Sequence, residues 1–526
     1  MKINDFGRWT AIVEKLKHVS KKNNLNSYIV GGWVRDKIIG REPKDLDVMV
    51  EGDGNGMKLA ELMSDEYNLG KPVLFPRFGT AKISMDGEEI EFVAPRKEVY
   101  RPDDRKPDTQ LGTLTDDAMR RDFSVNALFI DLRNNEVVDL TGLGLEDIKK
   151  EVLRVSDPTS ADEIFSQDPL RLLRLIRQAS QLNFSIDPAT FSAVKDNAQK
   201  ISTISKERVQ EELNKMLMTD KPSRSLTLLK DAGLLNYILT DLGSLEGTED
   251  DGPADSKNVW SHTLQVVDNA PKNLVVRLAA LFHDVGKPAT KSRTYKVTCP
   301  KCSEPIEYIY KTQPNVGITC ENGTCGGNLE FGTEKELYEA FPNYDVHFYD
   351  HERVGASTAT KVLRDLRYSD DIIKEVDALI THHMKGHAYN EDWTDSAIRR
   401  YKFDTDPYTE NLLDLTQSDV TSKRPEKRQR NRDKIQKLRE RIKLLDEQEQ
   451  IAKIQSPLDG NELMQMFPDK KPGPWLKGVK TMLLNEVLDG NLKQNDKEGA
   501  KRLLEGIDPE RFASLDDNIK LSWREQ

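Results

Sequence analysis

The chain has 526 residues, 37% of them hydrophobic and 32% charged, and a formal charge of -11 at pH 7. That length exceeds what one hydrophobic core serves, so three or four domains are expected. No apolar run approaches the ~20 residues that span a bilayer, and the opening MKINDFGRWT carries no signal-peptide core, so a cytoplasmic protein without a membrane partner is expected. The negative balance excludes a uniformly basic nucleic-acid binder and confines any RNA contact to local patches.

In chain order, residues 28–30 (YIV) predict a short strand, Gly31-Gly32 a tight turn, and residues 33–39 a helix whose first backbone N–H groups would face an anion such as a triphosphate. After the break at Gly40 and Pro43, a second strand carries Asp45 and Asp47. Period-two alternation puts both carboxylates on one face, where they can hold Mg²⁺, and Leu46, Val48 and Val50 on the other. Residues 78–83 and 88–93 predict a hairpin with Asp86-Gly87 as its turn. Glu91 on its second strand is either a third metal carboxylate or a solvent-facing strand residue.

Two further blocks follow, RRDFSVNAL from Arg120 to Leu128 and QDPLRLLRLIR from Gln167 to Arg177. Together with GGWVRD and DLD, they resemble the polymerase beta superfamily head, specifically the bacterial-type tRNA nucleotidyltransferase and poly(A) polymerase family. The resemblance implies that Gly31, Gly32, Val34, Arg35 and Asp36 hold the incoming triphosphate. It implies that Asp45 and Asp47 are catalytic and bind two metal ions, one activating the attacking hydroxyl and one steadying the pyrophosphate. Asp122 and Asn126 would contact ribose and phosphate with Arg121 supporting the nucleotide; the alternative is a buried Arg-Asp pair that anchors a helix. Ser124 stands where the family has Thr, and residues 101–107 resemble the family's flexible loop.

The QDPLR segment is similar to the family's EDxxR motif, with Gln167 in place of Glu, and Arg174 joins the implied nucleotide-binding set. Asp168 is expected as an N-cap with Pro169 at the first helical position, and Arg171, three residues on, as its neighbour on the helix surface. A carboxylate acceptor beside a guanidinium donor matches the amino donor and ring-nitrogen acceptor that cytosine and adenine share, and clashes with guanine and uracil. The alternative is a cap and a local ion pair. The later KERVQEEL block resembles the family's ERVxxEL helix, which Arg208 would order.

Seven of the eight histidines lie between His262 and His387. His262, His283-Asp284, His351, His382-His383 and Asp419 follow the motif order of the HD phosphohydrolase superfamily, with His283-Asp284 closing an apolar helix. Imidazole and carboxylate together suit a divalent transition metal of the Ni, Mn, Co or Fe class. His262, His283, Asp284 and Asp419 would form one site, and His351 with His382 or His383 a second. In tRNA nucleotidyltransferases such domains resemble phosphohydrolases for phosphate monoesters or 2′,3′-cyclic phosphate ends.

All four cysteines fall in one segment, Cys299 and Cys302, then Cys320 and Cys325 after seventeen intervening residues, a zinc-ribbon spacing. From Lys423 to Lys443 eleven basic residues face three acidic ones, while Ile435, Leu438, Ile442 and Leu445 step by three and four along one seam. An amphipathic helix with a basic face toward tRNA phosphate is expected, the alternative being a solvated charged helix.

The expected architecture is α+β. A small mixed-sheet head (1–150) precedes a helical neck (151–250), an HD body (251–425) with a zinc-ribbon-like insertion (294–332), and a helical tRNA-binding tail (426–526). The expected activity is addition of CCA to tRNA 3′ ends from CTP and ATP, with HD hydrolysis in end repair. The alternatives are a poly(A) polymerase or A-adding enzyme, and an HD hydrolase whose head only binds RNA.

Overall fold

The computed structural model describes residues 1–76, 79–99, 108–248, 258–299, 301–303, 305–310, 316–319, 328–331, 336, 339–341, 344–449 and 454–513. The fold is mixed α+β, and the chain divides into two compact units, Met1–Gly243 and Ser244–Gln526.

The first unit opens with α1 (Thr10–Lys22), which buries Ile12, Val13, Leu16 and Val19 along one stripe. Then come β1 (Ser27–Val30), α2 (Gly32–Ile38), β2 (Leu46–Val50), α3 (Asn55–Glu66), β3 (Val73–Phe75), β4 (Thr80–Met85) and β5 (Glu88–Val93). A ribbon of β6 (Arg96–Val99) and β7 (Asp108–Leu111) leads to α4 (Leu114–Arg120), β8 (Leu128–Asp131) and β9 (Glu136–Asp139). Seven strands form one sheet in the order β3-β4-β5-β2-β1-β8-β9. Strands β2 and β5 run parallel and the other neighbours antiparallel. The central strands are covered on both faces, which is why YIV and VMV read as unbroken apolar runs. Asp86 and Gly87 both take positive φ (54° and 84°), so the expected β4–β5 hairpin closes through the turn type that suits strand twist. Phe78 and the stretch 101–107, matched to a flexible loop, lie outside the described residues.

Helices α5 (Gly144–Lys150), α6 (Ala161–Gln167), α7 (Leu170–Leu182), α8 (Pro188–Asn197), α9 (Lys206–Leu217) and α10 (Pro222–Asp231) follow in the same unit. A largely buried ion pair, Arg177 to Glu212 at 2.6 Å, ties α7 to α9. Ser124, where the family pattern has Thr, donates its hydroxyl to buried Asp147 of α5 at 2.6 Å.

The second unit is mostly helical. Helices Val259–Asn269, Leu274–Phe282, His351–Asp365, Asp370–His387 and Thr409–Ser418 form its core. The long helix Pro425–Glu449 buries the expected seam of Ile435, Leu438, Ile442 and Leu445. A three-stranded sheet is inserted ahead of His351, with Lys291–Thr298 between Pro305–Tyr310 and Tyr344–Phe348, beside a hairpin of Val316–Thr319 and Asn328–Phe331. Among the described residues no helix is long and apolar enough to cross a membrane.

Candidate active site and metal centre

In the first unit, Asp45 lies exposed just before β2, and Asp47, half-buried, stands in register with Glu91 of β5. Lys82 of β4 follows in the same row, 3.5 Å from Glu91. Burial, then the Glu91 and Asp45 charges, push the Asp47 carboxyl up to about 6, against the pull of Arg121 and Lys82. A half-buried carboxylate whose charge is opposed by two neighbouring carboxylates is what a divalent cation relieves.

Gly31 takes φ +77°, and a Cβ there would come within 3.0 Å of Arg121 Nη1, so the guanidinium sits against the turn. Arg121 is held by Asp117 Oδ2 (2.9 Å from Nε) and by the Asn126 carbonyl (3.3 Å from Nη1). Arg35 donates to Asp36 (2.8 Å), to Asn126 Oδ1 (2.6 Å) and to Gln178 Oε1 (3.2 Å). Asp122 accepts from Arg174 (2.6 Å) and from Asn126 Nδ2 (2.9 Å). Burial opposes its charge, but Arg174 and the Asn126 amide hold the Asp122 carboxyl below the usual range. Thus Arg35, Asn126, Asp122, Arg174 and Gln178 form one network from α2 to α7, and the Asp122 partner is Arg174 of α7, not Arg121.

Asp168 and Arg171 are arranged differently from the expected helix-surface pair. Helix α7 begins at Leu170, and Asp168 Oδ1 accepts from the Leu170 N–H at 3.3 Å, so the cap stands one residue further out than expected. The Arg171 side chain turns inward, 8% exposed, and donates to the Ile164 carbonyl (3.2 Å) and the Arg120 carbonyl (3.0 Å). Position 171 falls on the buried face of α7, where two orphan carbonyls attract it. Asp168 instead lies 3.3 Å from Arg208.

The second unit concentrates imidazole and carboxylate in its interior. His262, His283 and Asp284 form one group of converging ligand atoms, and Asp284, His351 and His383 another, all buried. Each ring is oriented through Nδ1. His283 bonds the Ala280 carbonyl (2.8 Å), His351 the Phe348 carbonyl (2.8 Å), His383 the Ile380 carbonyl (2.6 Å) and His262 the Thr421 hydroxyl (2.9 Å). The Nε2 atoms therefore turn inward, 3.3 Å apart between His262 and His283 and 3.3 Å apart between His351 and His383. Asp419 Oδ1 is 2.9 Å from His262 Nε2, and Asp284 bridges, with Oδ2 3.2 Å from His283 Nε2 and Oδ1 3.6 Å from His351 Nε2.

Imidazole nitrogens facing each other, with their N–H groups engaged elsewhere, are relieved by a cation between them, and the Nδ1 bonds are the orienting partners a metal ligand needs. The residues thus fit a divalent transition metal. Burial opposes charge on His283, yet Asp284 and Asp419 push its imidazole up to about 9, while burial and the His283 charge press His383 down to about 3. Gly286 packs so closely on the His351 helix that a Cβ would overlap the His351 carbonyl and lie 2.7 Å from Gly355 N.

Of the two histidines left open at 382–383, the structure turns His383 into the cage. His382, one residue away and so about 100° round the helix, is not among the converging groups and leaves Nδ1 buried without a partner. The buried positions of that helix, Ile373, Val376, Leu379, Ile380 and His383, step by three and four, and that period picks out His383. Sequence reasoning missed three residues. Asp117, fully buried, follows from its spacing four before Arg121. His387, 2.7 Å from Asp419 Oδ2, lies one turn after His383. Gln178 carried no sequence signal. Cys299 and Cys302 pack with Tyr295, Val297, Ile306 and Ile318, whereas Cys320 and Cys325 lie outside the described residues.

Three stretches of the chain are similar to known protein families. Residues 27–154 match the "Poly A polymerase head domain", 183–245 the "Probable RNA and SrmB- binding site of polymerase A", and 353–499 the "tRNA nucleotidyltransferase domain 2 putative". A mitochondrial CCA tRNA nucleotidyltransferase of Saccharomyces cerevisiae is 38% identical over 240 residues, covering 42% of this chain and 44% of that protein. A CCA-adding enzyme of Lactobacillus johnsonii is 30% identical over 269 residues, 50% of this chain and 65% of that one. An A-adding tRNA nucleotidyltransferase of Aquifex aeolicus is 30% identical over 311 residues, 56% and 37%. The chain spans about half the length of the curated relatives it matches. The fold is shared with the Bacillus stearothermophilus CCA-adding enzyme in complex with CTP, at TM-score 0.60 and 20% identity over 94% of this chain and 97% of that one. Its three matched regions, these relatives and the shared fold make this chain similar to tRNA nucleotidyltransferases of the poly(A) polymerase family.

Proposed function

We propose that the first unit adds CCA to the 3′ end of tRNA from CTP and ATP. The observation that carries this reading is the row of Asp45, Asp47 and Glu91 beside the Gly31 turn and Arg121. Mg²⁺ bound by these carboxylates would supply the charge that activates the terminal hydroxyl and steadies the pyrophosphate. The chain's own groups do the rest. The Gly31-Gly32 turn and Arg121 receive the triphosphate, and the Arg35, Asn126, Asp122 and Arg174 network fixes the turn relative to α7. Asp168 accepts from the amino group of cytosine or adenine, and Arg171 turns out from the Ile164 and Arg120 carbonyls to donate to the ring nitrogen. Incubating the protein with a tRNA lacking its 3′ end and each labelled nucleotide tests this. Two C additions followed by one A are expected, and no incorporation would overturn it. Similarity to the Aquifex aeolicus A-adding enzyme supports a second reading, an A-adding specialist, for which only A would enter.

The second unit is proposed as an HD-type metal-dependent phosphohydrolase for phosphate monoester or 2′,3′-cyclic phosphate ends, supported by the inward Nε2 atoms of His262, His283, His351 and His383 around Asp284 and Asp419. Purified protein should contain a divalent transition metal and turn over bis-nitrophenyl phosphate. Metal-replete protein without turnover would overturn the assignment. The cysteine segment is proposed to hold zinc, which metal analysis before and after Cys299→Ser tests.

A further inference from the structure

Beside the cage lies a cavity of about 300 Å³, lined by His262, Asp284, His383 and Asp419 together with Lys287, Lys427 and Asn431. Its two lysines differ. Lys287 is nearly buried, and its ammonium lies 2.9 Å from Asp284 Oδ2, so its charge is committed to the cage. Lys427 is exposed and, among the described residues, has no carboxylate within 4.0 Å. Asn431 is four residues further along the helix Pro425–Glu449 and shares its face.

The basic run itself divides in two. Its C-terminal half is neutralised by ion pairs, Lys437 with Glu391 (2.6 Å), Arg439 with Glu410 and Asp414 (2.7 Å each) and Arg441 with Asp395 (2.9 Å). In the N-terminal half, Lys427, Arg430 and Arg432 form no ion pair among the described residues, and Arg432 Nε is buried without a hydrogen-bond partner. The half that touches the cavity is the half whose charge is unspent. Helix-anchoring alone explains the C-terminal half and not the N-terminal half.

We propose that Lys427 and Asn431 form a phosphate subsite that seats the 3′-terminal phosphate of an RNA strand against the metal cage, with Arg430, three residues from Lys427, extending the positive strip toward the next phosphate. This rests on the phosphohydrolase reading and adds to it the residues that hold the substrate. Lys427 supplies the point charge, and the Asn431 amide a directional donor. Because Asp284 and Asp419 repel an anion, the subsite fills only when the cage carries metal.

The test uses the full chain loaded with Mn²⁺ and a short labelled RNA ending either in a non-hydrolysable 3′-phosphonate or in a 3′-hydroxyl. A preference of roughly tenfold for the phosphonate end is expected, the scale of a charge-assisted phosphate contact. Lys427→Gln should erase it, Lys427→Arg retain most of it, and Asn431→Ala reduce it. With a 3′-phosphate RNA, Lys427→Gln should raise KM by a similar factor and leave kcat nearly unchanged. A preference that survives Lys427→Gln overturns the subsite, as does inorganic phosphate binding as tightly as the RNA end. A Lys427-dependent preference without hydrolysis would keep the subsite and remove the phosphohydrolase reading. Hydrolysis with a KM indifferent to Lys427 would do the reverse.

Discussion

The two candidate centres gather groups that suit divalent cations by opposite means. In the first unit the carboxylates come from adjacent strands, Asp45 is exposed, and the row carries more negative charge than burial comfortably allows. In the second the ligands come from separate helices, every ring is fixed through Nδ1, and the cage is buried. The first suits a cation that arrives with a triphosphate and leaves with pyrophosphate. The second suits a resident ion. The difference teaches that ligand identity says less about metal residence than what orients the ligands.

The strongest way to break this comparison is to delete one ligand from each centre. Asp47→Ala should lower nucleotide incorporation by roughly a thousandfold or more, the several kcal/mol a metal clamp supplies, and leave the metal content of the second unit unchanged. His283→Ala should do the converse, losing metal and bis-nitrophenyl phosphate turnover while incorporation persists. Gel filtration without added metal sharpens the contrast in residence. Incorporation should then need fresh Mg²⁺, whereas metal analysis should still find the second unit loaded.

Smaller effects probe the scaffolds. Gly286→Ala forces a methyl into the His351 helix, and a loss of about 1–3 kcal/mol in denaturant unfolding is expected, with metal content falling as the helices separate. In the first unit, Asp122 has a depressed folded pKa. The stability it contributes is present above the ordinary carboxylate range and lost as pH falls through the folded value. Asp122→Asn should therefore lower stability at neutral pH and flatten the acid limb of the stability profile.

Much of the strand-borne site was legible in the sequence because its spacing is local. Period two alone put Asp45 and Asp47 on one face, and Asp86-Gly87 announced the turn that brings Glu91 alongside. The helical seam from Ile435 to Leu445 was equally plain. What stayed hidden depended on long-range partners. Arg171 turns inward because α6 and α4 present carbonyls to it, and Asp122 pairs across to α7, neither of which a local window contains. The choice between His382 and His383 was readable in principle, from the burial period of their helix.

The inserted sheet ends at Phe348, whose carbonyl orients the His351 ring. The strand Tyr344–Phe348 and its partner Lys291–Thr298 pair in fixed register, Lys291 opposite Phe348. A one-residue slip would turn that carbonyl to the opposite face. Insertions and deletions within Lys291–Thr298 or between Tyr344 and His351 should therefore be ruinous, so the insert can change length only at the end away from this strand pair.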